Sequence, residues 1–402
     1  MKFIVPSQLL YRNLQTVSGI ITTNSAIPII ENVLFQISDK KLRLTATDLE
    51  TTITTEVELS DADGDMEIVI PAKKVLGTLK ELPDVPVIFT ISEDFAIEIV
   101  VAESNHELIG YNVEEFPQKP ELDNVSSFMI DTKILGNAIS KTIFATATQD
   151  IRPILSGVYF EIKPEDMTFV ATDAHKLVCY KHNLNTNLEA SFVVPKKPLL
   201  LLKNILQSFE GDVQVDFDDT KIAFTMDTVS FVSKLIEGKF PNYNAVIPKN
   251  NINILKVERL PLLQDMRRIS LYANQSTHLL RMKIEPEFVC LIAEDIETSS
   301  KADSKIACVF EYASKQNLSD EEQNLSEDGQ GLSENEQEPF EIGFSSKFLQ
   351  EMLTNIDSDE IIIRLLDSAT AGLIFPYYEN EEEKQEHLLM LLMPVKLTDP
   401  NQ

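Results

Sequence analysis

Hydrophobic and polar residues alternate along most of this chain, and the alternation breaks at regular intervals into stretches with helical spacing. MKFIV reads as a strand, and Pro6 opens a helical stretch, since proline is tolerated at a helix start. Alternating runs follow, IENVLFQIS, KLRLTATD and TTITTEVEL, rich in β-branched residues and therefore read as strands. Next come MEIVI, a helix opening at Pro71, and three more alternating runs, PVIFTI, AIEIVV and HELIGY. The order is β-α-β-β-β, written twice.

That pattern repeats. LRLTATDLETT (residues 42–52) recurs as MTFVATDAHKL (167–177) and FVCLIAEDIET (288–298), which sets Asp48, Asp173 and Asp295 at equivalent places, 125 and 122 residues apart. IVIPAKKVLGTLKEL (68–82) is echoed by FVVPKKPLLLLKNIL (192–206) and more faintly by EIGFSSKFLQEML (341–353). The expected architecture is α+β, three tandem copies of one duplicated domain at 1–122, 123–250 and 251–402. The third copy carries three acidic heptads, NLSDEEQ, NLSEDGQ and GLSENEQ. One leucine per seven residues cannot form a coiled-coil seam, so a disordered insert is expected at about 313–338.

Charge changes the picture. The net charge of −29 looks hostile to nucleic acid. Six helices are predicted at 6–23, 71–82, 131–147, 196–208, 257–274 and 345–355. They hold 13 lysines and arginines against five acids, a net of +8 that leaves −37 for everything else. Lys73, Lys74 and Lys80 match Lys196, Lys197 and Lys203, each 123 residues later. Lysines on one helix usually just fill a solvated face. Helices with 13 bases and only five of the 64 acids are instead what a surface facing duplex phosphates needs. No helix-turn-helix, zinc-finger or aromatic stacking motif points to base readout.

Catalytic readings fare poorly. The three repeated aspartates stand at strand ends before polar residues and read as turn-capping carboxylates. The five histidines and three cysteines (Cys179, Cys290, Cys308) show no metal or redox spacing, and no phosphate-cradling glycine motif occurs. No catalytic residue, metal or cofactor is expected. The longest apolar run, Leu388 to Val395, is strand-sized, and the N-terminus lacks a secretory pattern, so a cytoplasmic protein with no membrane partner is expected.

MKFIV, LQTVSG, LTATDLE, QDIRPILSG, VATDAHKL, SKLIEGKFPNY and the C-terminal LMPVKL together resemble the bacterial DNA polymerase III β subunits, the sliding clamps, essentially end to end. The resemblance implies a head-to-tail homodimer around double-stranded DNA, with helices lining the hole and sheets outside. It implies DNA contacts at Lys73, Lys74, Gln149, Arg152, Lys196 and Lys197. It also implies a pocket for short linear motifs of polymerase subunits and the clamp loader. That pocket would be formed by Leu155, Thr172, His175, Leu177, Pro241, Val246, Met393, Pro394, Val395 and Lys396, although any one of these alone reads as core packing. Three departures stand out. Asn24 and Ala245 replace arginines of better-studied clamps, and Ala174 stands where glycine is common. A peptide-binding scaffold that never encircles DNA would suit the acidic balance, but not the helix-confined lysines.

Overall fold

The computed structural model describes all residues except Asn24, 149–151, 313–338, 380–385 and 398–402. The expected acidic insert, Asn24 and Gln149 therefore lie outside the described residues. The order of elements is β-α-β-β-β twice in each of three successive stretches, apart from one short extra strand, Asp61–Ala62. The six α-helices among the described residues are α1 (Ser7–Ser18), α2 (Ala72–Lys80), α3 (Thr132–Thr142), α4 (Lys196–Leu206), α5 (Arg259–Ile269) and α6 (Ser346–Thr354).

Strands run into these helices with almost no loop. Pro6, Pro71 and Pro195 occupy the hinge before α1, α2 and α4 with φ near −60° and extended ψ. Proline holds that φ at no cost, and the N–H it lacks would have been unpaired in a first turn anyway. Each helix is shorter than its apolar periodicity suggested, and in α3 and α5 the continuation is a 3-10 turn, Ile143–Ala145 and Ser270–Tyr272. The charge pattern survives the shortening. Glu81, Asp131 and Glu258 stand at the caps, one residue outside α2, α3 and α5, so the helices with their caps keep the net of +8 expected.

The chain forms two compact units, Met1–Ile139 with Phe192–Gly238, and Ser140–Ser191 with Lys239–Gln402. The first holds a five-stranded and an eight-stranded sheet. In the eight-stranded sheet, Thr51–Glu58 pairs antiparallel with Val229–Lys234, so a strand from one copy of the repeat is edged by a strand from the next. Leu10, Leu14 and Val17 of α1 are buried at helical spacing, and α1 packs on Lys41–Thr47, Thr51–Glu58 and α2. Phe3 and Phe89 stack with ring centroids 4.7 Å apart beneath them.

The second unit repeats the device. Lys176–Asn183 pairs antiparallel with Glu386–Leu392. In sheet order, Gly157–Ile162, Asp166–Thr172, Lys176–Asn183, Glu386–Leu392, Gly372–Tyr377, Glu360–Leu365 and Asn253–Glu258 lie side by side. Helices α5 and α6 pack against each other, burying Leu262, Leu263 and Met266 on one and Leu349, Met352 and Leu353 on the other.

The repeated aspartates close turns. Asp48 accepts from the amides of Glu50 and Thr51 at 3.1 and 2.8 Å, and Asp173 from those of His175 and Lys176, both at 2.9 Å. Asp295 accepts from the Glu297 amide, Thr298 and Asn274, and the two side-chain donors hold its carboxyl below the usual range. The residue after the aspartate is left-handed in the first two turns, Leu49 at φ 77° and Ala174 at φ 75°. This conformation is what glycine would satisfy at position 174, and alanine there holds it under strain. Replacing Ala174 with glycine should raise stability by about 1 kcal/mol in urea melts; a loss of stability would show that the turn is not strained.

Candidate functional site

The lysines expected to face DNA lie on α2 and α4, away from their buried faces. On α2, Ala72, Val75 and Leu79 are buried while Lys73, Lys74 and Lys80 are exposed, and none of these lysines makes an ion pair among the described residues. Helix α4 buries Pro198, Leu199, Leu202, Ile205 and Leu206, leaving Lys197 exposed and Lys196 and Lys203 half-buried. The matched lysines are not equivalent, however. Lys197 Nζ lies 2.6 Å from Asp48 Oδ2, so one cation of the expected set is already engaged by the carboxylate that closes the first turn. Arg152 is exposed just before the 3-10 turn Pro153–Leu155.

The expected peptide-pocket residues lie in the second unit, and strand register gathers several of them. Leu155 ends the 3-10 turn one residue before Gly157–Ile162, Thr172 ends Asp166–Thr172, and Leu177, second in Lys176–Asn183, lies directly opposite Thr172. Leu391, near the end of Glu386–Leu392, is the partner of Leu177, and the Met393 amide donates to the His175 carbonyl at 2.9 Å. Leu155, Thr172, His175, Leu177 and Met393 therefore cluster at one end of four adjacent strands. As expected from Pro394, the chain leaves the sheet after Leu392.

Leu155 and Leu177 are 4% and 3% exposed, so they form the floor as core residues, while Met393 at 44% and Val246 at 59% offer apolar surface. Pro241 and Lys396 are also exposed, and Pro394 and Val395 are half-buried. The segment that carries Pro241 and Val246 is pinned along Gly157–Ile162 rather than to the strand-end cluster. Phe240 stacks on Tyr159 at 4.6 Å, and the Tyr243 hydroxyl donates to Glu161 at 2.7 Å.

Two supports carry no motif of their own. Lys176 is buried behind the cluster. Its ammonium lies 2.6 Å from Glu351 and 3.2 Å from Asp173, and 4.3 Å from the centre of the Phe348 ring, on which His175 also stacks. The one sequence signal for it was its inward phase with Val178 and Tyr180 in the strand alternation. Gly343 is the second. The Val395 amide donates to its carbonyl at 2.8 Å, and an added Cβ would come within 2.7 Å of the Val395 carbonyl oxygen and 2.8 Å of Leu397. Gly343→Ala should push the C-terminal segment off its seat at an overpacking cost of about 1–3 kcal/mol. Peptide affinity measured by anisotropy should drop with it; unchanged affinity would mean that the segment's position is immaterial.

None of this resembles a reaction centre. Burial pushes the Cys179 thiol up to about 12 and Cys308 up to about 11, so neither supplies a thiolate near neutrality. Among the described residues no three histidine, cysteine or acidic side chains converge to hold a metal, and no helix is long and apolar enough to cross a membrane.

Known proteins match the chain throughout. Residues 1–120 match the model of the DNA polymerase III beta subunit N-terminal domain, and residues 129–242 that of its central domain. The beta sliding clamp of Vibrio cholerae is 26% identical over 398 residues, spanning 99% of this chain and all of that one. The Haemophilus influenzae beta sliding clamp is 27% identical, covering 97% of this chain and 99% of its own length. A crystal structure of a sliding clamp (DNA polymerase III subunit beta) from Pseudomonas aeruginosa bound to griselimycin superposes with a TM-score of 0.87. It has 26% identity and covers 99% of this chain and all of that one.

Proposed function

The chain belongs to the DNA polymerase III β subunit family and is a non-catalytic DNA sliding clamp, and we propose that its copies close head to tail into a ring held on duplex DNA by the helix lysines. The single observation that carries this reading is the segregation of charge, net +8 on six helices and their caps within a chain of net −29. Such a surface attracts phosphates without reading bases, which is what movement along DNA requires. Lys73, Lys74, Gln149, Arg152, Lys196 and Lys197 are the proposed contacts. Polymerase subunits and the clamp loader are proposed to dock short linear motifs on the groove at Leu155, Thr172, His175 and Leu177, with Pro241, Val246 and Met393 to Lys396 as its walls. The three repeats, 1–122, 123–250 and 251–402, are the proposed domains, and the cytoplasm, where the chromosome lies, is the proposed location.

Repetition supports a specific closure. Thr51–Glu58 and Lys176–Asn183 follow the first and second repeated aspartates, and each is edged by the last strand of the next copy. Their third counterpart, Ser300–Glu311, pairs along Ser300 to Ala307 only with Phe288–Asp295 among the described residues. The last strand of the first copy, Ser104–Ile109, ends its sheet. Joining these two edges between two copies is a heterologous contact that closes on itself after two copies and leaves neither edge open. The exposed Ile109, Leu271 and Ile296, at 69%, 82% and 81%, supply apolar surface for it.

Retention on nicked circular DNA, with mass measured in the same buffer, tests the whole reading. A dimer held on circles and released by linearisation is expected. A monomer, or release that ignores topology, would overturn it.

A further inference from the structure

The strand register sets the proposed peptide groove next to a second feature on the same sheet face. Residues directly opposite in an antiparallel pair share a face, as do residues two apart along a strand. Thr172, Leu177, Leu391 and Leu373 therefore form one row, with Val170, Cys179 and Leu389 in the row below and Lys181 and His387 in the row below that. Gly372–Tyr377 pairs with Glu386–Leu392 only from Gly372 to Ile374, after which the two strands separate. A cleft of about 440 Å³ opens in the gap. Its apolar lining includes Cys179, Ile362, Phe375 and Leu389, and among the described residues its charged lining is Lys141, Lys181, Arg364 and His387 against one acid, Asp357. Asp357 is taken up by Lys141, and Lys181 lies 2.9 Å from Asp166. Arg364 sits 5.3 Å from the Phe375 ring centre, and neither it nor His387 has an acidic partner among the described residues.

We propose that this cleft continues the partner groove and takes an acidic flank of the docked linear motif. The proposal rests on the groove reading above. Two observations point to that occupant. Arg364 and His387 have no acidic partner among the described residues, so on a chain with 64 acids an anionic partner finds there a cation not already engaged. It also lies along the strand that carries the groove floor, since Leu177 and Lys181 are on one strand and one face, about 13 Å apart at 3.3 Å per residue. An extended peptide with its hydrophobic anchor at Leu177 and Met393 reaches Lys181 and His387 within roughly four residues. Its alternate side chains would meet Leu389 and Phe375, and its acids would meet Arg364, His387 and Lys181. The anchor supplies affinity in this arrangement, and the cleft discriminates among partners by the charge beside the anchor.

The test uses the full chain and fluorescein-labelled tail peptides of the cognate replicative polymerase, extended at either end by three glutamates or by three glutamines. The double variant Lys181→Gln, Arg364→Gln should weaken one glutamate-extended peptide about tenfold, as two partly exposed ion pairs allow, and the glutamine peptides less than about twofold. Added salt should narrow the difference. Equal effects on both kinds of peptide, or none, would overturn the proposal while leaving the groove intact. If no tail peptide binds the unaltered chain, the groove reading falls and takes this one with it.

Discussion

Removing residues 393–402 should abolish binding of a polymerase-tail peptide while the chain stays dimeric. Strand Glu386–Leu392 retains its pairing with Lys176–Asn183, so the sheet under the groove survives the cut. What goes is the wall. Met393, held by the His175 carbonyl, and Val395, held by Gly343, both disappear. Apolar wall contacts that a bound peptide covers can be worth about 2 kcal/mol each, so losing both should lower affinity several hundredfold. The edges proposed for dimer closure, 104–109 and 300–307, are untouched. Anisotropy for the peptide and mass for the dimer, in one buffer, decide the matter. Full affinity in a truncated dimer would mean that the groove has been assigned to the wrong surface.

The second large effect is on DNA. Replacing Lys73, Lys74 and Lys196 with glutamate, and Lys197 with glutamine, should weaken association with duplex and flatten its salt dependence without unfolding the chain. Glutamine is the better choice at 197, because a glutamate there would face Asp48 at ion-pair distance. Every phosphate that no longer meets a lysine takes roughly 0.9 from the slope of log K against log salt, so the slope should fall by about 3 per chain. Because Lys197 is shared with Asp48, its own single substitution should change the slope least of the four. A slope that does not move would sink the electrostatic lining, whatever happened to the affinity.

Much of the architecture was legible because the pattern is written three times. A strand run such as LRLTATD is ambiguous alone, but its recurrence at 167 and 288 with the aspartate in place identifies a repeated turn, and the hydrogen bonds to Asp48, Asp173 and Asp295 bear that out. Helix ends were read too long, since apolar spacing continues through Ile143–Ala145 and Ser270–Tyr272 although the backbone there tightens to 3-10 geometry. The pairing of Thr51–Glu58 with Val229–Lys234 left no trace, because pairing partners distant in the chain carry no local signal. The groove's supports were equally hidden. Gly343 looks like any strand glycine until the Val395 carbonyl is found against it, and Lys176 looks like a surface lysine until Glu351 and Phe348 enclose it.

Strand pairing between successive repeats also sets an order of events at the ribosome. Thr51–Glu58 emerges early, yet the strand that covers its edge, Val229–Lys234, lies roughly 170 residues downstream. At about 5–20 residues per second, that edge waits roughly 10–35 seconds for its partner. Lys176–Asn183 waits longer still, for Glu386–Leu392 near the end of the chain. Through those intervals the nascent chain presents open strand edges, the first of them rich in threonine, the kind that chaperones shield and that neighbouring nascent chains pair with. Synthesis slowed before residue 229 should therefore lower the yield of native protein more than the same delay placed after residue 392.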